Sequence, residues 1–237
     1  MTARFLFACI LIAGFSTGCC HGKKHVDQTP AAAEQESMSQ YPAIWFAEVP
    51  KEGAPSWEVL PQAAGPGEVI LSKRNELGIL SNFAPTPFTY RGKRYASLEG
   101  FWQMMLYPEG PDDPRAEFPG VVWLHTRDEV ASMTAFTAKA AGDVAEENMK
   151  TMGIGWVSFE GKQFAYRSAN PDEHYRLIVA AMREKLAQNP EVKRVLLSTG
   201  KLILKPDHHQ EVDAPPEWRY FEIWMQIRGE LQQGVAK

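Results

Sequence analysis

The chain has 237 residues, of which 44% are hydrophobic, enough to build one large domain or two small ones around a core. Its net charge of −4 at pH 7 excludes the broad basic surface that duplex nucleic acid requires, so no generic nucleic-acid binding is predicted. All three cysteines, Cys9, Cys19 and Cys20, lie within the first twenty residues, so the rest of the chain has no disulfide, thiolate metal ligand or cysteine nucleophile.

The N-terminus has the pattern of an export signal. Arg4 precedes an apolar run from Phe5 to Phe15, and small residues follow up to Cys19. The run is shorter than the ~20 residues that span a bilayer as a helix. Small residues directly before a cysteine resemble the bacterial lipobox, although Ser16 stands where that motif usually has Leu. We therefore expect residues 1–18 to be a lipoprotein-type signal peptide, with lipid attached to Cys19. The alternative is an ordinary cleaved signal.

The chain after the signal changes composition twice. Residues 19–40 are mostly polar or small, a composition that cannot form a core and that predicts a flexible tether. Residues 41–65 contain Trp45 and Trp57 among several prolines, which predicts an ordered, irregular arm against the domain. The folded domain is assigned to residues 66–237. The lipid anchor would place it in the bacterial cell envelope, facing the periplasm or the exterior, with the lipid as its membrane contact.

The first elements predicted in the domain are short strands and one helix. The β-branched content of Glu68–Ser72 is typical of a strand. The segment Phe88–Tyr95 alternates around Gly92, which predicts a short hairpin. Apolar residues recur at helical spacing over Leu98–Tyr107, and Pro108 is expected to end this helix.

The second half of the domain mixes helices and strands. Arg127–Ala141 is compatible with a helix, and Trp156–Phe159 with a short strand that ends at the following Glu-Gly. The segment from Asn170 to Gln188 opens with Pro and two acidic residues, which indicates a helix start. A strand at Leu202–Leu204 and an amphipathic helix over Trp218–Leu231 follow. Since no regular βαβ alternation is present, the predicted fold is α+β in a single domain.

Three motifs follow one another between residues 75 and 103. They are Gly78-Ile79-Leu80-Ser81-Asn82-Phe83, then Gly92-Lys93-Arg94-Tyr95, then Ser97-Leu98-Glu99-Gly100-Phe101-Trp102-Gln103. In order and spacing they resemble the NADAR family, named for its association with NAD and ADP-ribose, which includes YbiA-like N-glycosidases. That family carries G-x-x-S-N-F, d-G-x-x-y and S-x-E-x-y-x-Q segments. The resemblance covers about residues 70–231 and implies a YbiA-like fold.

By this resemblance, Glu99 corresponds to the catalytic glutamate of the family. The chemistry agrees, because breaking a ribosyl C–N bond builds positive charge on C1′. A carboxylate beside the sugar can stabilise that charge or activate the water that attacks C1′. The alternative is that Glu99 only favours the positive end of its helix. Gln103 lies four residues later on the same helical face and can orient that carboxylate or the water.

Five further residues are candidates for binding the substrate. Asn82 offers an amide for ribose or base, Phe83 offers a ring for stacking, and Trp102 lies on a neighbouring helix face. Arg74 and Lys139 are the candidates for phosphate. The structural alternatives are a turn residue for Asn82, core rings for Phe83 and Trp102, and solvated charges for the two cations.

The chain also departs from the family. Gly100 and Leu106 stand where members commonly have His and Lys. The D-x-x-W-G ending of the family is absent, and Asp207 and Trp218 are its nearest replacements, so both are counted as substrate-binding candidates. These departures indicate a divergent subfamily.

No metal and no cofactor are predicted. The sequence has no Gly-rich phosphate loop and no H-E-x-x-H motif. His208 and His209 are adjacent, and neighbours on an extended segment point to opposite faces, so they are expected to form an exposed polar loop rather than to chelate one ion.

The residues and the resemblance together predict a metal-free hydrolase that cleaves an N-glycosidic bond in a ribosylated nucleotide-like or ADP-ribosyl substrate. Two alternatives remain open. One is a catalytically silent envelope lipoprotein that binds an ADP-ribose-like ligand, and the other is a structural envelope lipoprotein that retains only the fold. Glu99 and Gln103 favour the hydrolase, whereas the lost His, Lys and W-G elements favour the alternatives. No protein partner follows from the sequence.

Overall fold

A computed structural model of the protein describes residues 40–234. The predicted signal peptide, the proposed lipid site Cys19 and nearly all of the predicted tether lie outside the described residues. Over residues 40–234, no helix has the length and the apolar character needed to cross a bilayer.

The described residues contain six α-helices, six short strands and four 3-10 helices. The helices are α1 (Leu98–Met104), α2 (Arg127–Ala131), α3 (Ala135–Met152), α4 (Glu173–Gln188), α5 (Pro190–Ser198) and α6 (Tyr220–Gln232). The strands are β1 (Glu68–Ile70), β2 (Phe88–Tyr90), β3 (Lys93–Tyr95), β4 (Trp156–Phe159), β5 (Lys162–Ala165) and β6 (Ile203–Lys205). The 3-10 helices are Ala43–Trp45, Pro61–Ala63, Glu76–Leu80 and Pro216–Trp218. This mixture confirms the predicted α+β class.

The strands form three separate two-stranded sheets. β1 pairs with β6 in parallel, whereas β2–β3 and β4–β5 are antiparallel pairs. The predicted hairpin is confirmed, with Arg91 and Gly92 at its tip in positive-φ conformations of 50° and 80°. Two consecutive positive φ angles are typical of the tight two-residue turns whose twist matches that of the flanking strands.

Helix α1 lies at the centre of the molecule. Every residue from Leu98 to Met104 is buried, and α1 packs against α2, α3 and α4. Its N-cap is Ser97, whose hydroxyl oxygen accepts a hydrogen bond from Gly100 N at 2.9 Å and donates to Met133 O at 2.9 Å. A helix that is buried on all sides carries any polar side chain it has into the interior. This places Glu99 and Gln103 inside the molecule.

The predicted helix Arg127–Ala141 is wrong as one element. The chain breaks at residues 132–134, and two helices, α2 and α3, replace it. The break turns Ala135 to a positive φ of 50° and lets its N–H donate to Phe83 O at 3.2 Å. Tertiary contact with the Phe83 loop therefore overrides a helical pattern that continues through the break.

The other helix predictions are corrected mainly at their ends. The helix predicted to begin after Asn170 is confirmed as α4, where Asp172 caps the N-terminus by accepting from His174 N at 2.9 Å. The last helix begins at Tyr220 rather than Trp218, because Pro216–Trp218 forms a separate 3-10 helix. α5 and β5 were not assigned from the sequence.

Residues 41–65 lie against the body of the domain. Trp45 is fully buried, and its ring N–H donates to Glu76 Oε1 at 2.9 Å. Val59 N donates to Asp207 O at 2.8 Å, and Glu58 forms an antiparallel bridge with His208. This segment therefore reaches the chain that immediately follows β6.

Candidate active site

Glu99 lies on the first turn of α1, against the loop that follows the 3-10 helix Glu76–Leu80. Its backbone N–H donates to Asn82 O at 2.9 Å, which joins the start of α1 to the Asn82–Phe83 loop. The residue is only 6% exposed, yet it lines a cleft in the surface. Glu99 is therefore a largely buried carboxylate that lies at the wall of the cleft, and a hydrogen bond to Asn82 O fixes its backbone there.

Gln103 holds the Glu99 carboxylate from one helical turn below. Its Nε2 donates to Glu99 Oε1 at 2.8 Å, as the i, i+4 spacing allows. Burial raises the pKa of Glu99, while the hydrogen bond from Gln103 and the positive charges of Lys139, His208 and Lys73 oppose that rise. The net pKa of Glu99 lies above the ordinary glutamate value of 4.5.

Two glycines make room for this arrangement. A Cβ on Gly142, in the middle of α3, would lie 1.9 Å from Gln103 Oε1, so only glycine leaves space for that amide. A Cβ on Gly100 would lie 2.6 Å from Met133 O and 2.9 Å from Val130 O. The close packing around the start of α1 therefore leaves no room for a side chain at position 100.

The cleft has a volume of about 750 Å³. Its wall is built by segments that are far apart in the chain, including the 41–65 arm, the Asn82–Phe83 loop, α1, α3 and the segment between β6 and α6. The residues that line it are Trp57, Lys73, Ser81, Asn82, Phe83, Glu99, Trp102, Gln103, Phe136, Lys139, Asp143, Glu146, Tyr166, Arg167, His208, His209, Gln210, Glu211, Trp218 and Tyr220. This volume falls in the range of pockets that hold nucleotide-sized ligands.

One aromatic group lies on the Asn82–Phe83 side of Glu99. Phe136 contacts Phe83 edge-to-face, with ring centroids 5.0 Å apart, and contacts Trp57 at 5.7 Å. The ammonium of Lys73 lies 5.0 Å from the Phe83 ring centroid and 5.5 Å from that of Trp57. Trp57 and Phe136 are exposed, so this wall offers rings on which a planar group can stack.

A second aromatic group lies on the Trp102 side. Trp102 and Trp218 have ring centroids 6.4 Å apart, and Tyr166 lies 5.7 Å from Trp218. The guanidinium of Arg167 lies 4.4 Å from the Trp218 ring centroid and pairs with Glu211 at 2.5 Å. Two aromatic groups, each with a cation against one of its rings, therefore line the same cleft as Glu99.

Several buried polar atoms of the cleft residues lack partners within residues 40–234. They are Asn82 Oδ1, Gln103 Oε1, Gln210 Oε1, Trp218 Nε1 and the Tyr220 hydroxyl. Buried polar groups are nearly always hydrogen-bonded, and each one left unpaired costs ~1–3 kcal/mol. Three amide oxygens, one indole N–H and one hydroxyl match a ligand that carries both hydrogen-bond donors and acceptors.

The structure brings most of the residues singled out from the sequence to this cleft. Seven of them line it: Asn82, Phe83, Glu99, Trp102, Gln103, Lys139 and Trp218. Arg74 does not, because its guanidinium forms two 2.7 Å hydrogen bonds with the Glu58 carboxylate. Lys139 is at the cleft but pairs with Asp143 on its own helix.

Asp207 lies behind the cleft wall rather than on it. Its carboxylate is fully buried and pairs with Lys73 Nζ at 2.6 Å. Burial opposes ionisation, but the hydrogen bond from His208 and the charge of Lys73 outweigh it and lower the pKa of Asp207. Asp207 thus positions Lys73. Lys73, and not the neighbouring Arg74, is the cation of this segment that lines the cleft.

The expectation of an exposed polar loop holds for His209 but is wrong for His208. His209 is exposed, whereas His208 is half-buried and its ring stacks on Tyr220, with centroids 6.2 Å apart and an interplanar angle of 11°. Its Nδ1 lies 3.4 Å from Asp207 Oδ1. In the part of the chain that the structure describes, no group of three or more His, Cys, Asp or Glu side chains is arranged to hold a metal ion.

Lys73, Phe136, Tyr166, Arg167 and His208 are cleft residues that the sequence analysis did not assign to the site. Lys73 had one usable signal, since it directly precedes Arg74 beside the first motif. The other four residues come from three separate segments that tertiary packing brings together, and no local pattern marks them.

A buried lysine supports the loop that carries Asn82. Lys185 of α4 is fully buried and donates from Nζ to Ser81 O at 2.8 Å. Burial lowers the pKa of Lys185 from its ordinary 10.5 to about 7. The loop is therefore tied to α4 by a group whose charge changes near neutral pH.

This lysine predicts an unusual pH dependence of stability. Because the pKa of Lys185 is lower in the folded state, the unfolded chain binds more protons between pH 7 and pH 10.5, and stability rises with pH in that window. Linkage gives a gain of about 2 kcal/mol in the free energy of unfolding between pH 7 and pH 9. Lys185→Met should remove this gain in urea titrations at the two pH values. An unchanged pH dependence in the variant would show that Lys185 titrates normally.

Comparison with known proteins gives one structural match. Neither a protein-family model nor a curated protein sequence matches the chain. The chain is similar to the E. coli protein YbiA, solved by NMR, with 19% sequence identity and a TM-score of 0.43 over 70% of this chain and 86% of that chain. At this identity and TM-score no residue role is transferred from that protein.

Proposed function

We propose that this protein is a hydrolase that cleaves the N-glycosidic bond of a ribosylated nucleotide-like or ADP-ribosyl substrate, with Glu99 as the catalytic residue. The observation that carries the proposal is the buried Glu99 carboxylate, held by Gln103 and facing a nucleotide-sized cleft. The last of the three motifs that resemble the NADAR family contains both Glu99 and Gln103. No metal and no cofactor are part of the proposal.

The chemistry uses the environment of Glu99. Cleavage of the bond between C1′ and the base nitrogen develops positive charge on C1′ and the ring oxygen. A carboxylate in a poorly solvated site stabilises that charge more strongly than one in water. In its ionised form, Glu99 also accepts the proton of the water that attacks C1′, and its raised pKa makes it a better base than a solvated glutamate.

The remaining cleft groups fit the parts of such a substrate. The unpartnered oxygen of Asn82 matches a ribose hydroxyl beside Glu99. The rings of Phe83 and Trp218 offer stacking surfaces for planar groups on either side. Lys73 is paired with Asp207, and its ammonium has one further hydrogen that it can donate to a phosphate oxygen in the cleft.

The test is a direct assay of bond cleavage. The purified full chain is incubated with NAD, ADP-ribose, ribosylaminopyrimidine phosphates and ADP-ribosylated nucleic acid, and released base is detected by mass spectrometry. Release of base from at least one compound supports the proposal. Tight binding of a ligand without turnover would instead identify the protein as a catalytically silent ligand-binding module. If the chain neither binds nor cleaves any of these compounds, the remaining interpretation is a structural envelope protein.

We also propose that the chain is exported and anchored to the bacterial cell envelope by lipid on Cys19, so that the cleft faces the periplasm or the exterior. Cys19→Ser is expected to give an unprocessed or soluble protein, whereas Cys20→Ser should still partition into detergent, because only Cys19 follows the small-residue segment directly. Phase partitioning in a detergent measures the difference. Equal partitioning of the wild type and Cys19→Ser would refute the anchor.

A further inference from the structure

His208 is held in a defined position at the edge of the cleft. Its Nδ1 lies 3.4 Å from Asp207 Oδ1, and its ring lies parallel to Tyr220. Its backbone bridges to Glu58 of the arm. The side chain is 39% exposed and lines the same cleft as Glu99. The imidazole is therefore fixed on one side and open to a ligand on the other.

The orientation of the ring determines which nitrogen faces the ligand. Because Nδ1 is directed at an acceptor, it carries a hydrogen, and Nε2 is the nitrogen that exchanges a proton. Asp207 stays ionised, since the charge of Lys73 and the hydrogen bond from His208 keep the pKa of this carboxyl low despite burial. A fixed carboxylate at Nδ1 stabilises the imidazolium, as in His–Asp pairs of other hydrolases.

The charged and titratable groups around His208 come from five parts of the chain. Asp207 precedes it, Lys73 lies beyond Asp207, Tyr220 of α6 lies under its ring, and Glu99 of α1 lies across the cleft. Glu58 of the arm is already paired with Arg74. Asp207 and Glu99 favour the protonated ring, whereas Lys73 opposes it.

Three other proton donors of the described cleft residues are engaged with carboxylates. Tyr166 donates its hydroxyl to Glu146 Oε1 at 2.8 Å, and burial raises its pKa well above the ordinary 10.0. Lys139 is paired with Asp143, and Arg167 with Glu211. His208 differs from these three groups because its orientation is fixed by Asp207 and Tyr220 while its ring remains open to the cleft.

We infer that His208, oriented by Asp207, is the general acid that protonates the departing base in the proposed N-glycoside cleavage. The inference rests on that proposed function. As the bond from C1′ to nitrogen breaks, its electron pair moves to the nitrogen, which takes the proton from His208 Nε2. Water attacks C1′ and gives its proton to Glu99. Afterwards Glu99 returns a proton to solvent and His208 regains one, so the cycle needs no other reactant.

The experiment uses leaving groups that differ in their need for a proton. The full chain is assayed on a ribosylaminopyrimidine phosphate, whose leaving amine must be protonated. It is also assayed on nicotinamide mononucleotide, which releases a neutral pyridine, and on 4-nitrophenyl riboside phosphate, which releases a stable anion. His208→Asn should lower kcat on the amine substrate about a hundredfold, as for loss of a positioned acid, and change kcat on the other two less than about threefold. Added imidazole should restore part of the lost rate.

His125→Asn is the matched control. It makes the same change of side chain at a histidine that is not among the residues lining the cleft. This variant should behave like the wild type on all three substrates. A wild-type pH profile provides a second readout that needs no variant. On the amine substrate, which needs a general acid, the rate should fall at alkaline pH, and this alkaline decline should be absent with nicotinamide mononucleotide.

The outcomes separate this role from the proposed function. Suppose that the wild type cleaves the amine substrate and that Glu99→Gln abolishes cleavage. If His208→Asn then lowers kcat equally on all three substrates, or on none of them, His208 is not the acid and the N-glycosidase proposal stands. A wild type that cleaves only the substrates needing no proton would overturn the role of His208 in the same way. If the wild type cleaves none of these compounds and none of the panel above, both proposals fall.

Discussion

Replacing Glu99 with Gln is expected to lower kcat by a factor of about a hundred or more, the range found when a positioned acid–base group is lost. The amide keeps the shape of the carboxylate but neither stabilises positive charge at C1′ nor accepts a proton from water. Ligand affinity and melting temperature should change little. Burial disfavours the ionised carboxylate, so a neutral amide in the same place costs less desolvation than the carboxylate does. Turnover, ligand binding and thermal unfolding are measured on one preparation.

The pH dependence of the wild type provides a second check on Glu99. Catalysis by the carboxylate requires its ionised form, and burial raises its pKa above the ordinary 4.5. The rate should therefore fall as the pH is lowered through this raised pKa. Glu147→Gln is the control, since Glu147 is an exposed residue of α3 paired with Lys150. A Glu99→Gln variant as active as the wild type would disprove the catalytic role, and one that melts several degrees lower would show a structural role.

Adding one methyl group at Gly142 is expected to disable the site without unfolding the domain. The Cβ of Gly142→Ala would lie 1.9 Å from Gln103 Oε1, so the amide must move away from Glu99. Displacement of a positioning group by about 1 Å can cost a factor of about a hundred in rate. Alanine is favoured over glycine in a helix by about 1 kcal/mol, which offsets part of the strain. We therefore expect a large loss of kcat with a melting temperature near that of the wild type.

Gly229→Ala is the matched control for this substitution. Gly229 lies inside α6, and a Cβ there would have no atom within 4 Å. This variant should be as active as the wild type and slightly more stable. If Gly142→Ala were fully active, the contact of Gln103 with Glu99 would have no part in turnover. If both variants lost stability equally, the effect would belong to the helix rather than to the site.

Local patterns in the sequence were sufficient for the parts of the site that lie on one element. Glu99 and Gln103 are four residues apart in a segment with helical periodicity, so their contact follows from helix geometry. Asn82 and Phe83 were identified by a motif that precedes this helix. The hairpin and α4 were predicted because glycine at a turn and an acidic N-cap are local signals.

The rest of the site depends on contacts between distant segments. Nothing near Arg74 in the sequence indicates that Glu58, sixteen residues earlier, occupies its guanidinium. The stacking of His208 on Tyr220 depends on how α6 packs against the end of β6. The break between α2 and α3 has the same origin, because a hydrogen bond to Phe83 O outweighs helical propensity. Patterns along the chain do not encode such pairings.

The position of Trp57 determines how short a working version of this protein can be. Trp57 forms part of the cleft wall, and the neighbouring Glu58 and Val59 hold the His208 and Asp207 backbone. A truncation that starts at residue 66, where the sequence places the domain boundary, would retain Glu99 and Gln103. It would also expose the aromatic wall, free Arg74 from its partner and release the segment that carries His208. Expression designs, domain fusions and searches for shorter homologues should therefore take Tyr41, not the first strand, as the beginning of the functional unit.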